Sequence, residues 1–425
     1  MILKEKFAAQ IPGLREQAKM LAKEYGDRVI SECTVAQAMG GMRGVKGMVC
    51  DTSYVDPIKG LIIRGKPLAE VSDNLPEEIL FLLLTGEMPT DAELATFRED
   101  MKPYAKVPDY VWDTLRALHP ESHPMMMFNL GILAMQKESI MVQRYAEGIS
   151  KFDVWEPALE DSVALIAKLP ELAAGVYRIR FNKGDLIPSD LDADWGSNFA
   201  NMTGIDDPTG QFKKLMQLYF TLHCDHEGGN VSAFTTHTVG SALSDPYYSL
   251  SAGLNGLAGP LHGLANQECL KFVHEIIEKH DGRVPTKEEL TKFAWDLLNS
   301  KRVVPGYGHA VLRATDPRFT AFHAFGEKYC PDDPSFKTVS LMFETIPDIL
   351  IEHGKAKNPW PNVDAGSGAL LYHYGMTEFI YYTVLFGVSR AMGVLSQLII
   401  NRAIGTPITR PKSVTSEWIK KEVGA

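Results

Sequence analysis

Residues 379–401 have the sequence FIYYTVLFGVSRAMGVLSQLIIN, in which Arg390 is the one charged side chain. The run is long and apolar enough for a helix that crosses a membrane. An arginine at mid-span is costly in lipid, however, and the sequence contains no second span of this kind. The stretch therefore predicts a helix buried in the core of a large soluble protein.

Arg390 needs a partner in such a helix, because an unpaired charge in apolar surroundings is strongly disfavoured. Burial alone favours an internal salt bridge between Arg390 and an aspartate or glutamate. The alternative is that the guanidinium binds the carboxylate of a ligand.

The same helical periodicity runs through most of the chain. Residues 212–222 place apolar side chains on one helical face. Few segments have the sequence pattern of a β-strand. The best candidate is residues 45–68, where glycine and proline interrupt short runs of β-branched residues. The sequence thus predicts an all-α fold with a small β-hairpin-rich insert near residues 45–68. Further helices are predicted at 161–177, 287–298, 336–353 and 376–404.

Length and composition indicate an ordinary globular protein. The 425 residues are 45% apolar and 23% charged, and the chain is long enough for two domains. A net charge of −10 argues against non-specific binding to nucleic acid or membranes. The five cysteines form no C-x-x-C pair, which suits a reducing compartment. Glu5 and Glu16 are unlike a transit peptide, so we expect the bacterial cytoplasm, or the mitochondrial matrix for a processed form.

Four loops place a titratable side chain among glycines and prolines, where the backbone can approach a ligand closely. The titratable side chains of these loops, taken together, suit proton abstraction next to a carbonyl, in a substrate that carries carboxylates or phosphates. The loops are HEGGN (226–230), GPLHG (259–263), PGYGH (305–309) and WPNVD (360–364), with His226, His262, His309 and Asp364 as the titratable residues.

His262 precedes a helical pattern at 264–271, so its ring is expected near a helix N-terminus. The positive end of a helix favours the neutral ring, which can donate a hydrogen bond to an oxygen that gains negative charge. A simple helix-entry residue is the alternative. Asp364 follows Trp360 and Pro361 and is a candidate general base, or else it caps a helix that begins near Ser367.

The run HCDHE at 223–227 contains three types of metal ligand within five residues. Its spacing lacks the H-E-x-x-H pairing of zinc proteases, which argues against a metal site. A polar helix end and a substrate-binding histidine are the two alternatives, and the sequence favours neither over the other. His309 is followed by Arg313 and Arg318, which indicates an anion site or solvated surface arginines. Arg43 lies among glycines at 40–47, as in loops that wrap phosphate.

Taken together, these loops resemble those of citrate synthases of the larger, eukaryotic-like type, the si-citrate synthase family, across residues 40–412. The resemblance implies a homodimer of two-domain helical subunits. The large domain would comprise residues 1–263 and 376–425, and the small domain, 264–375, would close over the substrate. The matching stretches, in family order, are 40–47, 226–233, 241–247, 255–268, 302–313, 355–365, 374–393 and 410–413.

The resemblance also implies the reaction: condensation of acetyl-CoA with oxaloacetate and water to citrate and CoA, the entry step of the tricarboxylic acid cycle, without metal or cofactor. A 2-methylcitrate synthase that uses propionyl-CoA shares this machinery and is the nearest alternative. From other classes, a metal-dependent hydrolase built on residues 223–227 or a non-catalytic helical scaffold are the alternatives.

The family pattern assigns roles to individual residues. Asp364 would remove the methyl proton, His262 would stabilise the enolate oxygen and His309 would polarise the ketone. Oxaloacetate would be held by His226, Arg318, Arg390 and Arg410 of the partner subunit. Contacts to CoA are assigned to Arg43, Arg313, the backbone from Val303 to Gly306, and Lys151, which stands near where family members often have an arginine.

Overall fold

The structure, a computed structural model, describes residues 1–424. Its secondary structure is mostly helical, as predicted, and its strands lie within the expected insert. The helices are α1 (Ile2–Tyr25), α2 (Val35–Met39), α3 (Leu68–Val71), α4 (Pro76–Thr85), α5 (Asp91–Met101), α6 (Asp109–Arg116), α7 (Pro124–Ala134), α8 (Ile140–Ala146), α9 (Trp155–Arg180), α10 (Trp195–Thr203), α11 (Gln211–Leu222), α12 (Val231–Ser241), α13 (Pro246–Leu257), α14 (Ala265–Lys279), α15 (Lys287–Asn299), α16 (Pro317–Tyr329), α17 (Pro334–His353), α18 (Asp364–His373), α19 (Tyr382–Ile404) and α20 (Ser416–Val423).

A single small sheet forms the insert within the described residues. Strand β1 (Ser53–Asp56) pairs antiparallel with β2 (Gly60–Ile63), and β3 (Lys66–Pro67) pairs antiparallel with β2. The turn between β1 and β2 packs against α16, because a Cβ on Gly60 would lie 2.4 Å from Cγ of Pro317. The prediction of a hairpin-rich insert is therefore confirmed.

Helix α19 is the central element of the core. Every residue of α19 except Asn401 and Ile404 is buried, and α19 packs against α9, α11, α12 and α13. By length and composition the segment Phe379–Ile404 would suffice to cross a membrane, but its whole apolar window lies inside the fold. The prediction of a buried core helix is confirmed.

The start of α19 differs from the prediction. The helix expected from residue 376 begins at Tyr382, after a short 3₁₀ turn at Phe379–Tyr381. The carboxylate of Glu378 accepts a hydrogen bond from the hydroxyl of Tyr177 at 2.7 Å and pairs with Lys183. These contacts hold Glu378 in a non-helical conformation, with φ −86° and ψ 84°.

Helices α14 to α18 pack largely against one another. They span most of the predicted small domain, residues 264–375, and the last residue of that range, Gly375, has a φ of +92° that favours glycine. The division into two domains that close on each other stays a prediction.

Candidate active site

Two loops of the site are joined by backbone hydrogen bonds. The N–H of Gly308 donates to the carbonyl of Trp360 at 3.1 Å, and the N–H of Asn362 donates to the carbonyl of Gly306 at 2.8 Å. Gly306 has a φ of +78°, and a Cβ there would lie 2.8 Å from Cα of Ala365. The pairing fixes the loop of His309 against the loop that leads into α18.

The ring of His309 has a defined proton position. Its Nδ1 accepts hydrogen bonds from the backbone N–H groups of Val311 and Leu312, both at 3.0 Å. Burial, followed by the charge of Arg318, lowers the pKa of His309 to about 4. The ring is therefore neutral near pH 7, and Nε2 carries the proton as a donor.

His226 faces His309, with ring centroids 5.6 Å apart. Burial and then the charges of Arg318 and Arg390 hold the pKa of His226 well below its usual value. The preceding carboxylate, Asp225, fixes this turn to the insert and the core: Oδ2 accepts from Thr52 at 2.5 Å and Ser53 at 2.9 Å, and Oδ1 from Gln397 at 2.8 Å.

His262 lies just before α14, as expected. Its Nε2 accepts a hydrogen bond from the backbone N–H of Ser232 at 3.3 Å, so Nδ1 carries the proton of the neutral ring. The pKa of His262 is lowered to about 4, mainly by burial and secondarily by Arg390. Burial and a nearby guanidinium thus both favour the expected neutral ring.

Asp364 is the first residue of α18, which begins there and not near Ser367. The N-cap position of α18 is occupied by Val363, and Asp364 lies inside the first turn, so the alternative role of Asp364 as the helix cap is wrong. Burial raises the pKa of Asp364 to about 6, although Arg318 and Arg390 act in the opposite direction. A carboxyl group of this kind has the properties of a general base.

Two buried guanidiniums complete the site, and they differ in their partners. Arg318 forms a bidentate ion pair with Asp316, with Nε–Oδ1 at 3.0 Å and Nη2–Oδ2 at 2.7 Å. Arg390 is 2% exposed and has no carboxylate within 4.0 Å among residues 1–424. The internal salt bridge that burial alone favours for Arg390 is therefore wrong.

Arg390 is held by neutral groups instead. Its Nε donates to the carbonyl of His223 at 3.3 Å, and Nη1 lies 3.2 Å from Oδ1 of Asn230 and 3.3 Å from Oγ of Ser232. Burial lowers its pKa to about 10, so the guanidinium stays charged near neutral pH. A buried cation without a protein carboxylate suits an anionic ligand.

The side chains of 223–227 make contacts other than those of a metal site. The ring of His223 stacks on Tyr219 at a centroid distance of 4.2 Å, while Asp225 and His226 are engaged as described above. No group of three or more His, Cys, Asp or Glu side chains in residues 1–424 is placed to hold a metal ion. The geometry gives the metal-cluster interpretation no support.

The family model described as "Citrate synthase, C-terminal domain" matches residues 41–412. The chain belongs to the citrate synthase family. Mitochondrial citrate synthase of Saccharomyces cerevisiae is 49% identical over 99% of this chain and 89% of its own length. Citrate synthase 4 of Arabidopsis thaliana, also mitochondrial, is 49% identical over 98% of this chain and 90% of its own. Where this chain resides stays a prediction.

Solved citrate synthases have the same fold. The enzyme from Pyrobaculum aerophilum is 27% identical, with a TM-score of 0.79 over 89% of this chain and 92% of its own. The enzyme from Thermoplasma acidophilum, in a ternary complex with carboxymethyl coenzyme A and oxaloacetate, is 25% identical, with a TM-score of 0.75 over 90% of this chain and 96% of its own.

The remaining predicted citrate synthase residues lie outside this buried cluster. Arg43, Lys151, Val303 and Arg410 are exposed. No hydrogen bond or ion pair in residues 1–424 joins these side chains to the buried site. The guanidinium of Arg313 turns onto its own loop, where Nη1 donates to the carbonyl of Leu312 at 2.6 Å. Within one subunit the loops of His309 and Asp364 are joined by backbone hydrogen bonds and Ser232 links His262 to Arg390, whereas Arg43, Lys151, Val303 and Arg410 are joined to none of these groups.

Three residues of the citrate synthase site were missed by sequence reasoning. Ser232 and Asn230 contact Arg390, and Ser232 also contacts His262. Asp316 pairs with Arg318 and caps α16. A signal existed for Asp316, because an aspartate directly before a proline at a helix start is a typical N-cap.

Proposed function

We propose that the described site performs the citrate synthase reaction, the condensation of acetyl-CoA with oxaloacetate and water to citrate and CoA. The observation that supports the proposal most is the arrangement around Arg390: Ser232 contacts its guanidinium and holds His262, and no carboxylate lies within 4.0 Å of it in residues 1–424. His309 and Asp364 lie on or next to two loops that backbone hydrogen bonds join. These groups match, in number and in charge, what an enolisation followed by addition to a ketone requires.

The first step is removal of a methyl proton from acetyl-CoA by the ionised carboxylate of Asp364. A thioester α-proton is weakly acidic, so the enolate oxygen needs a donor as charge develops. The Nδ1–H of His262 supplies that donor, since its Nε2 is occupied by Ser232. Loss of one such donor typically costs about 2.7–4 kcal/mol of transition-state stabilisation.

In the second step the enolate carbon attacks the ketone carbon of oxaloacetate. The Nε2–H of His309 polarises the ketone oxygen and then gives its proton to the alkoxide, which becomes a hydroxyl group. The ring is left as an imidazolate and recovers a proton from water, while Asp364 releases the methyl proton to water, so that the protons balance over the cycle. The fixed acceptor role of Nδ1 towards Val311 and Leu312 supports this direction of transfer. Water then hydrolyses the thioester and releases CoA.

The oxaloacetate carboxylates are held by Arg390, Arg318 and His226, together with Arg410 of the partner subunit. Arg390 is the strongest candidate because no carboxylate contacts its buried guanidinium in residues 1–424. The exposure of Arg410 is compatible with a role in a second subunit. This part of the proposal requires a homodimer, which sedimentation of the purified protein tests.

CoA would bind at Arg43, Lys151 and Arg313, with its adenine on the backbone from Val303 to Gly306. These residues are not joined in one subunit, so the proposal includes closure of residues 264–375 over bound oxaloacetate. Solution scattering with and without oxaloacetate should show compaction. Unchanged dimensions would contradict closure.

A 2-methylcitrate synthase activity is the second candidate. A mitochondrial 2-methylcitrate synthase of Yarrowia lipolytica is also 49% identical, over 99% of this chain and 93% of its own length. One additional methylene is worth only about 1–3 kcal/mol of discrimination in an apolar pocket. The same fold and site can therefore serve either acyl group.

One assay tests the proposal and separates the two candidates. Oxaloacetate is mixed with acetyl-CoA or propionyl-CoA, and free CoA thiol is followed with a thiol dye. We expect thiol release that requires oxaloacetate, favours acetyl-CoA and is insensitive to a chelator. Thiol release that needs no oxaloacetate, or that a chelator abolishes, would support a hydrolase instead.

A further inference from the structure

The chain leaves α19 as an extended segment, residues 406–415, named the C-terminal arm. Its first residues are tied to their own subunit. The N–H of Thr406 donates to the carbonyl of Asn401 at 3.0 Å, and the N–H of Thr409 donates to Oγ of Ser241 at 2.9 Å. The next residue, Arg410, is exposed, and its side chain forms no hydrogen bond or ion pair within residues 1–424.

His237 makes the one side-chain contact recorded for Thr409. Nε2 of His237 lies 3.0 Å from Oγ1 of Thr409, and Nδ1 lies 2.9 Å from Nδ2 of Asn401. The amide of Asn401 can only donate through Nδ2, so Nδ1 is the acceptor and Nε2–H donates to Thr409. The amide oxygen of Asn401 accepts from the hydroxyl of Thr406 at 3.4 Å, which agrees with this orientation.

The same helix contributes to the catalytic site and to the arm. At the start of α12, Ser232 contacts His262 and Arg390. Further along α12, His237 and Ser241 are four residues apart and thus share a face, and both hold Thr409. A rigid helix therefore links the position of the arm to the geometry of the buried site.

We propose that His237 is a positioning residue, which fixes Thr409 so that the adjacent Arg410 is presented to the oxaloacetate site of the partner subunit. The inference rests on the proposed function, since it requires Arg410 to bind oxaloacetate across the dimer. A charged clamp must be held within a fraction of an ångström to be productive. An extended arm anchored only through its backbone would not provide this.

A matched pair of variants tests the role of Nε2. In His237→Gln the amide group can occupy the place of Nε2 and donate to Thr409, whereas in His237→Asn it occupies the place of Nδ1 and loses that contact. We expect His237→Asn to raise the KM for oxaloacetate about five- to tenfold, the effect of one lost hydrogen bond. His237→Gln should stay within about threefold, and neither variant should alter the KM for acetyl-CoA comparably.

Thr409→Val is an independent route to the same loss, because it removes the hydroxyl acceptor without changing α12. It should reproduce the increase in oxaloacetate KM. Both losses must occur with the dimer intact, so the mass of each variant is measured by sedimentation. A shift of His237→Asn and Thr409→Val to monomers at assay concentration would overturn the inference, since assembly would then explain the effect.

Combination with Arg410→Ala decides whether His237 acts through Arg410. If it does, His237→Asn adds nothing to the oxaloacetate KM in the Arg410→Ala background. Fully additive effects of the two substitutions would overturn the inference, although they would be consistent with binding of oxaloacetate by Arg410. An Arg410→Ala variant with an unchanged oxaloacetate KM would instead remove the clamp from the proposed function, and the inference with it.

Discussion

The backbone N–H of Ser232 donates a hydrogen bond to Nε2 of His262 at 3.3 Å. A backbone donor cannot reverse its role, so it fixes which nitrogen of the neutral ring carries the proton. The free donor, Nδ1–H, is then available to an oxygen of the substrate. In His309 two backbone donors, the N–H groups of Val311 and Leu312, fix the opposite tautomer.

Replacement of His262 tests the assigned donor. His262→Ala should lower kcat by about 10²–10³, the usual cost of one lost oxyanion donor. His262→Asn should retain more activity, because its amide N–H can occupy the place of Nδ1–H. Steady-state thiol release measures both variants, and calorimetry should find oxaloacetate binding nearly unchanged. Equal loss in the two variants would show that the donor is not at Nδ1.

The pH dependence of turnover follows from Asp364. Its pKa is raised to about 6 by burial, and only the ionised carboxylate can accept a proton. The kcat/KM for acetyl-CoA should therefore be flat at higher pH and fall tenfold per pH unit below about 6. A profile that stays flat down to pH 5 would contradict the assignment.

The raised pKa of Asp364 also predicts that removal of its negative charge stabilises the folded protein at neutral pH. The pKa of Asp364 in the folded state is above its ordinary value of 3.8, so its contribution to stability is full below about pH 4 and is lost as the pH rises through about 6. The uncharged side chain of the Asp364→Asn variant does not ionise, so the variant does not lose this stability as the pH rises. Its Tm should match that of the original protein near pH 4 and exceed it at pH 7, as calorimetry can measure. A Tm difference independent of pH would refute the explanation.

Removal of the charge of Arg390 and removal of the charge of Arg318 should have different effects on the free energy of unfolding. Arg390→Met removes a buried cation that has no carboxylate partner, so the free energy of unfolding should be unchanged or increased. Arg318→Met leaves the buried carboxylate of Asp316 unpaired and should cost about 3–5 kcal/mol. Urea denaturation measures both, and both variants should raise the KM for oxaloacetate. Similar destabilisation in the two would indicate a hidden counter-ion for Arg390.

The helical architecture could be predicted because it depends on local periodicity. Residues 287–298 and 336–353 show an apolar face, and both lie within observed helices, α15 and α17. The start of α19 could not be predicted, because Glu378 is removed from the helix by Tyr177 and Lys183, some two hundred positions away in the sequence. Local pattern contains no information about such contacts.

The candidate site, like the fold, could be predicted from the sequence only in part. Gly-rich loops indicated His262, His309 and Asp364, because such loops allow close approach to a ligand. The proton positions were beyond sequence reasoning, since they depend on backbone donors such as Ser232 that only the fold supplies. Burial logic failed for Arg390 because it assumes that the partner of a buried charge lies within the protein, whereas a substrate site leaves that place for the ligand.

Turnover by Asp364→Asn is the most direct test of the central claim, that Asp364 is the base facing His262 and His309. Thiol release from acetyl-CoA with oxaloacetate is measured for the original protein and for the variant, at pH 8 and with oxaloacetate binding verified by calorimetry. We expect the variant to bind oxaloacetate but to lose about 10²–10⁴-fold in kcat. A variant that keeps most of its rate would contradict it.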